Sequence, residues 1–182
     1  MKKDTIVQFV CFESKAPTEE FIAQWEQYSN QVSNYQDVIL QQELETKNIS
    51  KYVSQHRSTS NDFQFIFKKG KRLANSTEVE IRIKEAGGYM PVQIEYTGEA
   101  DTNQTKAFVF ITASNFDPAD LKNLTGYKYL NIYQAYYESC IYSYILEFFI
   151  ENSNTQQITD QLLACNIDSR ILFYKECLVM AK

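Results

Sequence analysis

The single histidine of the chain stands beside an arginine, as His56 and Arg57, in the polar stretch 47–61. A histidine can act as a base near neutral pH, and an arginine can hold a carboxylate or a developing oxyanion. This pair is therefore the predicted catalytic group. The alternative is an exposed hairpin whose polar residues face water, because a lone histidine without a visible catalytic partner is rarely catalytic.

A tyrosine-rich strand supplies the second candidate site, since alternation places Tyr133 and Tyr137 on one of its faces. On an interior face these rings form an aromatic wall with polar tips, which suits a flat organic ligand. Gln41 and Gln134 occupy matching positions in the two halves of the chain and are predicted to add paired polar groups to the same space. The alternative is ordinary packing in a core or an interface.

The residue pattern does not support a phosphate-binding, hydrolase or metal site. The chain has no glycine-rich phosphate loop and no GxSxG, HExxH or DxDxDG motif. One histidine and four cysteines without CxxC spacing do not make a metal site, so we expect no metal and no cofactor. We read the cysteines as reduced, small apolar residues in a reducing compartment.

Charge and hydropathy exclude two classes of partner. Residues 1–86 carry 12 basic and 12 acidic side chains, whereas residues 87–182 carry 6 and 11. An acidic second half argues against binding to a nucleic-acid backbone. No apolar run is long enough to span a membrane, and the first residues lack a signal-peptide pattern. We therefore expect no nucleic acid, no membrane and a cytoplasmic location.

The two halves of the chain repeat one sequence pattern. TIVQFVCFES at 5–14 matches TKAFVFITAS at 105–114, and ILQQELET at 39–46 matches IYQAYYES at 132–139. Matches that recur in the same order indicate an internal duplication. We therefore predict a first repeat over 1–97 with an insertion near 47–61, a linker over 98–105, and a second repeat over 106–182.

Each half is predicted to run strand, helix, strand, strand, helix, strand. The helix that begins near Thr18 is indicated by Phe21 and Trp25, which fall at helical spacing. The segment Thr77–Ala86 carries two opposed signals. Its apolar residues alternate as in a strand, but a capping box and the following Gly87 favour a helix. We predict a helix there, because the repeat requires one.

Several predicted strands, such as 5–12, 107–111 and 141–150, are apolar at nearly every residue, which is typical of strands buried on both faces. The chain thereby resembles the dimeric α+β barrel superfamily in a fused, single-chain form. The resemblance implies an α+β fold of two ferredoxin-like βαββαβ repeats, packed sheet to sheet as a pseudo-dimeric α+β barrel.

That superfamily includes cofactor-independent oxygenases and decarboxylating and isomerising enzymes. The resemblance implies a barrel that binds a small apolar or aromatic ligand, or an enzyme that needs no cofactor, as a monomer or homodimer. The alternative is a non-catalytic protein-interaction module whose barrel is filled by its own side chains.

Overall fold

The computed structural model describes residues 5–30, 35–44, 48–63, 72–74, 80–94, 104–112, 116–121, 124–125, 127, 129–151, 155–164 and 169–181. Two α-helices lie in these ranges, α1 (Thr18–Asn30) and α2 (Thr155–Ala164), together with a 3₁₀ helix at Pro118–Leu121. The strands are β1 (Thr5–Ser14), β2 (Asp37–Glu43), β3 (Ser50–Thr59), β4 (Arg72–Ala74), β5 (Glu80–Ile94), β6 (Gln104–Ile111), β7 (Tyr129–Ala135), β8 (Tyr144–Glu151) and β9 (Ser169–Ala181).

Eight strands close into one antiparallel barrel. The first half supplies four neighbours in the order β5-β1-β3-β2, and the second supplies β9-β6-β8-β7. The pairs β2–β9 and β5–β7 join the two groups edge to edge, and β4 adds to the outside of β5. The predicted α+β barrel is confirmed, with all eight strands drawn from one chain. Both halves use the same strand order, but their origin as two ferredoxin-like copies stays a prediction.

Alternation along the strands gives the barrel wall an inner and an outer face. The inner face carries an aromatic core that includes Phe9, Phe108 and Tyr133. The outer face is covered in two places. One cluster packs around α1, and the other packs around α2 with residues of β6, β7 and β8. The strands are therefore buried on both sides, as their continuous apolar runs predict.

Helix α1 forms where helical spacing and an acidic first turn coincide. Glu19 and Glu20 lie near its positive N-terminal end, and Phe21, Trp25 and Ser29 are buried at intervals of four residues. The Phe21 ring stacks on Tyr52 of β3, with centroids 3.8 Å apart. The predicted helix is confirmed, and its aromatic face covers the outer side of the first half of the barrel.

The helix predicted at Thr77–Ala86 is wrong for the residues that the structure describes, because those from Glu80 onward lie in β5. Ile81 and Ile83 are buried against the α1 cluster, whereas Arg82 and Lys84 are exposed. Pairing with β1 therefore overrides the local capping signals. Thr77–Val79 lie outside the described residues.

Residues 48–61, the described part of the polar stretch, do not form an exposed hairpin. Its residues Ser50–Thr59 are β3, which hydrogen-bonds to β1 on one side and β2 on the other. The predicted repeat, insertion and linker boundaries stay a prediction, as does the cytoplasmic location. Among the described residues, no helix is both long and apolar enough to cross a membrane.

Candidate functional site

The two residues predicted to act together lie on opposite faces of β3. Arg57 points into the barrel, while His56 points outward beneath α1 and is fully buried. The His56 ring centroid is 5.6 Å from that of Trp25 and 4.8 Å from that of Tyr35. Its Nδ1 lies 3.4 Å from the hydroxyl of Ser54. The structure therefore places His56 in the layer between wall and helix, away from Arg57.

Arg57 belongs to the inner face near the start of β2. Its Nε lies 3.4 Å from Oδ1 of Asp37, and both side chains are only partly exposed. Burial raises the pKa of the Asp37 carboxyl, and the guanidinium of Arg57 opposes that rise. This pair forms one end of a series of polar groups inside the barrel.

The centre of the barrel holds a buried ion pair. Nζ of Lys106 on β6 lies 3.1 Å from Oε2 of Glu147 on β8, and each side chain is 2% exposed. Asn131 donates from Nδ2 to Oε1 of Glu147 at 2.6 Å. Burial by itself would raise the pKa of Glu147, but Lys106 and the Asn131 hydrogen bond outweigh it and hold that pKa below its usual value.

Three further side chains extend this network across the barrel. The hydroxyl of Tyr133 donates to Oε1 of Glu147 at 3.3 Å and accepts from Nε2 of Gln55 at 3.5 Å. The amides of Gln55 and Gln41 are 2.8 Å apart. In the opposite orientation of its amide, Gln41 instead presents its oxygen to Lys106 and accepts from Nζ at 3.1 Å. Burial, and then the charge of Glu147, raise the pKa of Tyr133 well above its usual value.

Of the predicted ligand-binding residues, the structure brings Tyr133 and Gln41 together inside the barrel. Gln134 does not join them, because it follows Tyr133 on β7 and so lies on the opposite face, with Ile132. Tyr137 lies beyond the end of β7 and stacks on Phe63 with centroids 5.7 Å apart.

A cleft opens at the end of the barrel where β1 and β6 finish. Its lining includes Phe9, Cys11, Glu85, Phe110, Tyr142 and Ile145. The hydroxyl of Tyr142 donates to Oε1 of Glu85 at 3.0 Å, so a hydrogen-bonded phenol and carboxylate lie among apolar side chains. The cleft has a volume of about 260 Å³ when the open space at its mouth is included, but its enclosed part has room for only about one water molecule.

The sequence contains a signal for the ion pair. Lys106 and Glu147 are the single charges in the apolar runs KAFVFI and YILEFFI. A charge in a strand buried on both faces must find an opposite charge or strong hydrogen bonds. Glu85 and Tyr142 had no comparable signal, because each lies in an ordinary mixed segment. Among the described residues, no three His, Cys, Asp or Glu side chains are grouped as metal ligands.

No family model matches the chain, and no curated protein matches it. Solved structures do share its fold. A “putative monooxygenase” from Fusobacterium nucleatum superposes with a TM-score of 0.60 and 12% identity, over 100% of this chain and 96% of that one. An anthrone oxidase-like protein gives 0.59 and 6%, over 99% and 94%. A mutant chlorite dismutase from Candidatus Nitrospira defluvii gives 0.58 and 14%, over 98% and 92%. At these identities the likeness shows the α+β barrel fold.

Proposed function

We propose that this protein binds a small, flat, largely apolar organic molecule in the cleft at the end of its barrel. The observation that carries the proposal is the Glu85–Tyr142 hydrogen bond of 3.0 Å in a cleft otherwise walled by rings and aliphatic side chains. Small-molecule sites combine apolar walls with a few placed polar groups, and barrel mouths are a common location. Of the predicted ligand residues, Tyr133 packs against the cleft, with its ring centroid 4.9 Å from that of Phe9.

The cleft residues indicate which ligand would fit. Phe9, Phe110 and Ile145 offer apolar contact to a ring. The carboxylate of Glu85 accepts hydrogen bonds, so it suits a ligand hydroxyl that replaces the hydroxyl of Tyr142. Because two of the similar structures are named as an oxidase-like protein and a monooxygenase, oxidation of the bound molecule is the reaction to test first.

The present space is too small for an aromatic ring, so the proposal requires a side chain to move. Tyr142 packs with its ring centroid 5.0 Å from that of Phe110. It is carried by the loop 136–143, which lies between β7 and β8. Displacing the Tyr142 ring would free an aromatic-sized space beside Glu85, so ligand binding is expected to move this loop.

Ligand-observed NMR with a naphthol and its methyl ether tests the proposal. The naphthol is expected to bind more tightly, because only it can donate to Glu85. Glu85→Ala should weaken naphthol binding about tenfold or more, since a hydrogen bond to a charged group is worth about 1.5–3 kcal/mol. Glu138→Ala is the matched control, because Glu138 is an exposed carboxylate on the loop 136–143 that carries Tyr142. Equal affinity in wild type and Glu85→Ala would refute the site.

A second function is favoured by the filled interior. The rings of Phe9 and Tyr133 lie 4.9 Å apart, and the central polar groups are bonded to one another. Such a barrel suits a non-catalytic protein-interaction module. The wild-type protein discriminates between the two functions. A binding barrel should bind the naphthol with Tyr142 in place, whereas a filled module should bind neither the naphthol nor its methyl ether.

A further inference from the structure

We propose that Cys11 and Cys140 form a disulfide on oxidation, which ties the loop 136–143 to β1 across the cleft. Both thiols are reduced and partly buried in the structure. Both also pack against the aromatic core inside the barrel, although they are far apart in sequence. Two partly buried cysteines that pack against the same cluster differ from a fully buried cysteine that serves only as a small apolar residue.

A glycine, which has no side chain, leaves space between the two cysteines. On β5, Gly87 lies opposite Phe9, and Glu85 lies opposite Cys11. A Cβ atom at Gly87 would lie 3.3 Å from Sγ of Cys140, so this thiol sits directly against the strand next to β1. Cys11 and Gly87 are diagonal neighbours on the same inner face, with Cα atoms about 7–8 Å apart.

Both thiols also act on the same hydroxyl group. Burial is the largest cause that raises the pKa of Tyr89, and the nearby Cys140 and Cys11 raise it further. The Tyr89 hydroxyl itself would lie 3.2 Å from a Cβ at Gly87. The two cysteines therefore approach Tyr89 and Gly87 together.

Two hydrogen bonds to one carbonyl of β5 hold the loop that carries Cys140 against this strand. The Cys140 thiol donates to the carbonyl of Gly88 at 3.3 Å, and the amide of Tyr136 donates to the same carbonyl at 3.0 Å. A disulfide needs Cα atoms about 4.4–6.8 Å apart. Forming the bond would therefore draw the loop toward β1, with loss of the weak S–H bond to Gly88.

Hydrogen peroxide serves as the oxidant. One thiolate attacks a peroxide oxygen, the O–O bond breaks, and a sulfenic acid forms as hydroxide leaves and takes up a proton. The second thiolate attacks the sulfenic sulfur, and the S–O bond breaks to release another water. Two electrons pass from the two sulfurs to one peroxide, which is reduced to two waters.

Closure of the cleft is the functional consequence, and this step rests on the proposed ligand site. A bond from Cys11 to Cys140 crosses the opening beside Tyr142 and Glu85. The oxidised protein is then expected to bind the naphthol at least tenfold more weakly, with recovery after reduction.

Peptide mapping of the full chain tests the disulfide without any ligand. After peroxide treatment, mass spectrometry should find a peptide pair joined through Cys11 and Cys140, with loss of two hydrogen atoms. A variant that carries Cys165→Ser and Cys177→Ser leaves only these two cysteines and should give the same product. Stable sulfenic or sulfinic acid on separate peptides, a bond to another cysteine, or a covalent dimer would overturn the proposal.

The ligand experiment separates this proposal from the proposed function. Peroxide should lower naphthol affinity in wild type but not in Cys140→Ser, while reduced forms of both bind alike. If the disulfide forms but the reduced protein binds no naphthol, the ligand site is wrong and the disulfide stands. If the reduced protein binds the naphthol but no disulfide forms, the disulfide is wrong and the ligand site stands.

Discussion

Lys106 and Glu147 form an ion pair at the centre of the barrel, 3.1 Å from Nζ to Oε2, where each side chain is 2% exposed. Aromatic rings surround the ammonium group, which lies 5.0 Å from the Phe149 centroid and 5.6 Å from that of Phe108. Removing two charges from water is costly, and their mutual attraction offsets that cost only while both are present. Each charge therefore requires the other.

The first prediction concerns the loss of one member of this pair. Lys106→Met should lower the free energy of unfolding by about 3–5 kcal/mol, because it leaves the Glu147 carboxylate buried without its counter-charge. Lys84→Met is the matched control, since Lys84 is 45% exposed and lies 3.6 Å from Glu13. That surface pair should contribute less than about 1 kcal/mol.

Urea denaturation measures both variants. The double substitution of Lys106→Met with Glu147→Leu should recover much of the loss, because it removes both charges. A Lys106→Met protein that is no less stable than Lys84→Met would contradict the buried pair.

The second prediction is a dependence of stability on acid pH. Because the folded-state pKa of Glu147 is held below its unfolded value of 4.5, unfolding takes up a proton at this group. Its stabilising contribution is present above that value and is lost as the pH falls through the folded pKa. Chemical denaturation across this range should therefore show a steeper loss of stability in wild type than in Glu147→Gln. Parallel curves would contradict the lowered pKa.

The third prediction concerns alkaline pH. The folded-state pKa of Tyr133 is raised above its usual value of 10.0, so the unfolded chain loses this proton first. Stability is therefore expected to fall as the pH rises through 10.0, and Tyr133→Phe should reduce that slope. Tyr136→Phe is the control, because Tyr136 is 50% exposed. Denaturation from neutral to alkaline pH checks the slopes, and equal slopes for wild type and Tyr133→Phe would rule the effect out.

The fourth prediction separates packing from chemistry at His56. Its ring is buried between Trp25 and Tyr35, so His56→Ala should cost about 2–4 kcal/mol through the cavity that it leaves. Naphthol affinity of the folded protein should not change, because His56 faces away from the cleft. Gln27→Ala on the exposed face of α1 is the control and should alter neither quantity.

Thermal unfolding and ligand-observed NMR on the same samples check this prediction. A His56→Ala protein with wild-type stability and no ligand binding would instead indicate that His56 belongs to the ligand site.

The local sequence pattern was sufficient to predict an element where one physical signal dominated. The continuous apolar runs of β1, β6 and β8 predicted strands buried on both faces, and the spacing of Phe21 and Trp25 predicted α1. The local pattern failed to predict β3. Gln55 and His56 are adjacent polar residues that lie on opposite faces of this strand, and both are buried. Polar groups that are satisfied by hydrogen bonds inside a fold leave no hydrophobic alternation to detect.

Competing signals explain the failure at the start of β5. The segment around Glu80 carries helix-capping residues, and the capping energy is only about 1 kcal/mol. Pairing with β1 over Val7–Glu13 supplies many hydrogen bonds and buries Ile81 and Ile83, which outweighs the cap. Those contacts join residues 69 to 82 positions apart, so a local window could not contain them.

The amino-acid sequence by itself determined that β1, β6 and β8 are strands buried on both faces, because apolar residues fill them almost without interruption. Tertiary structure alone decided which side chains meet. The direction of each side chain depends on strand register, and a shift of one residue sends it to the other face. For that reason His56 and Arg57, adjacent in sequence, are separated by the barrel wall, whereas Glu85 and Tyr142, 57 residues apart, share a hydrogen bond.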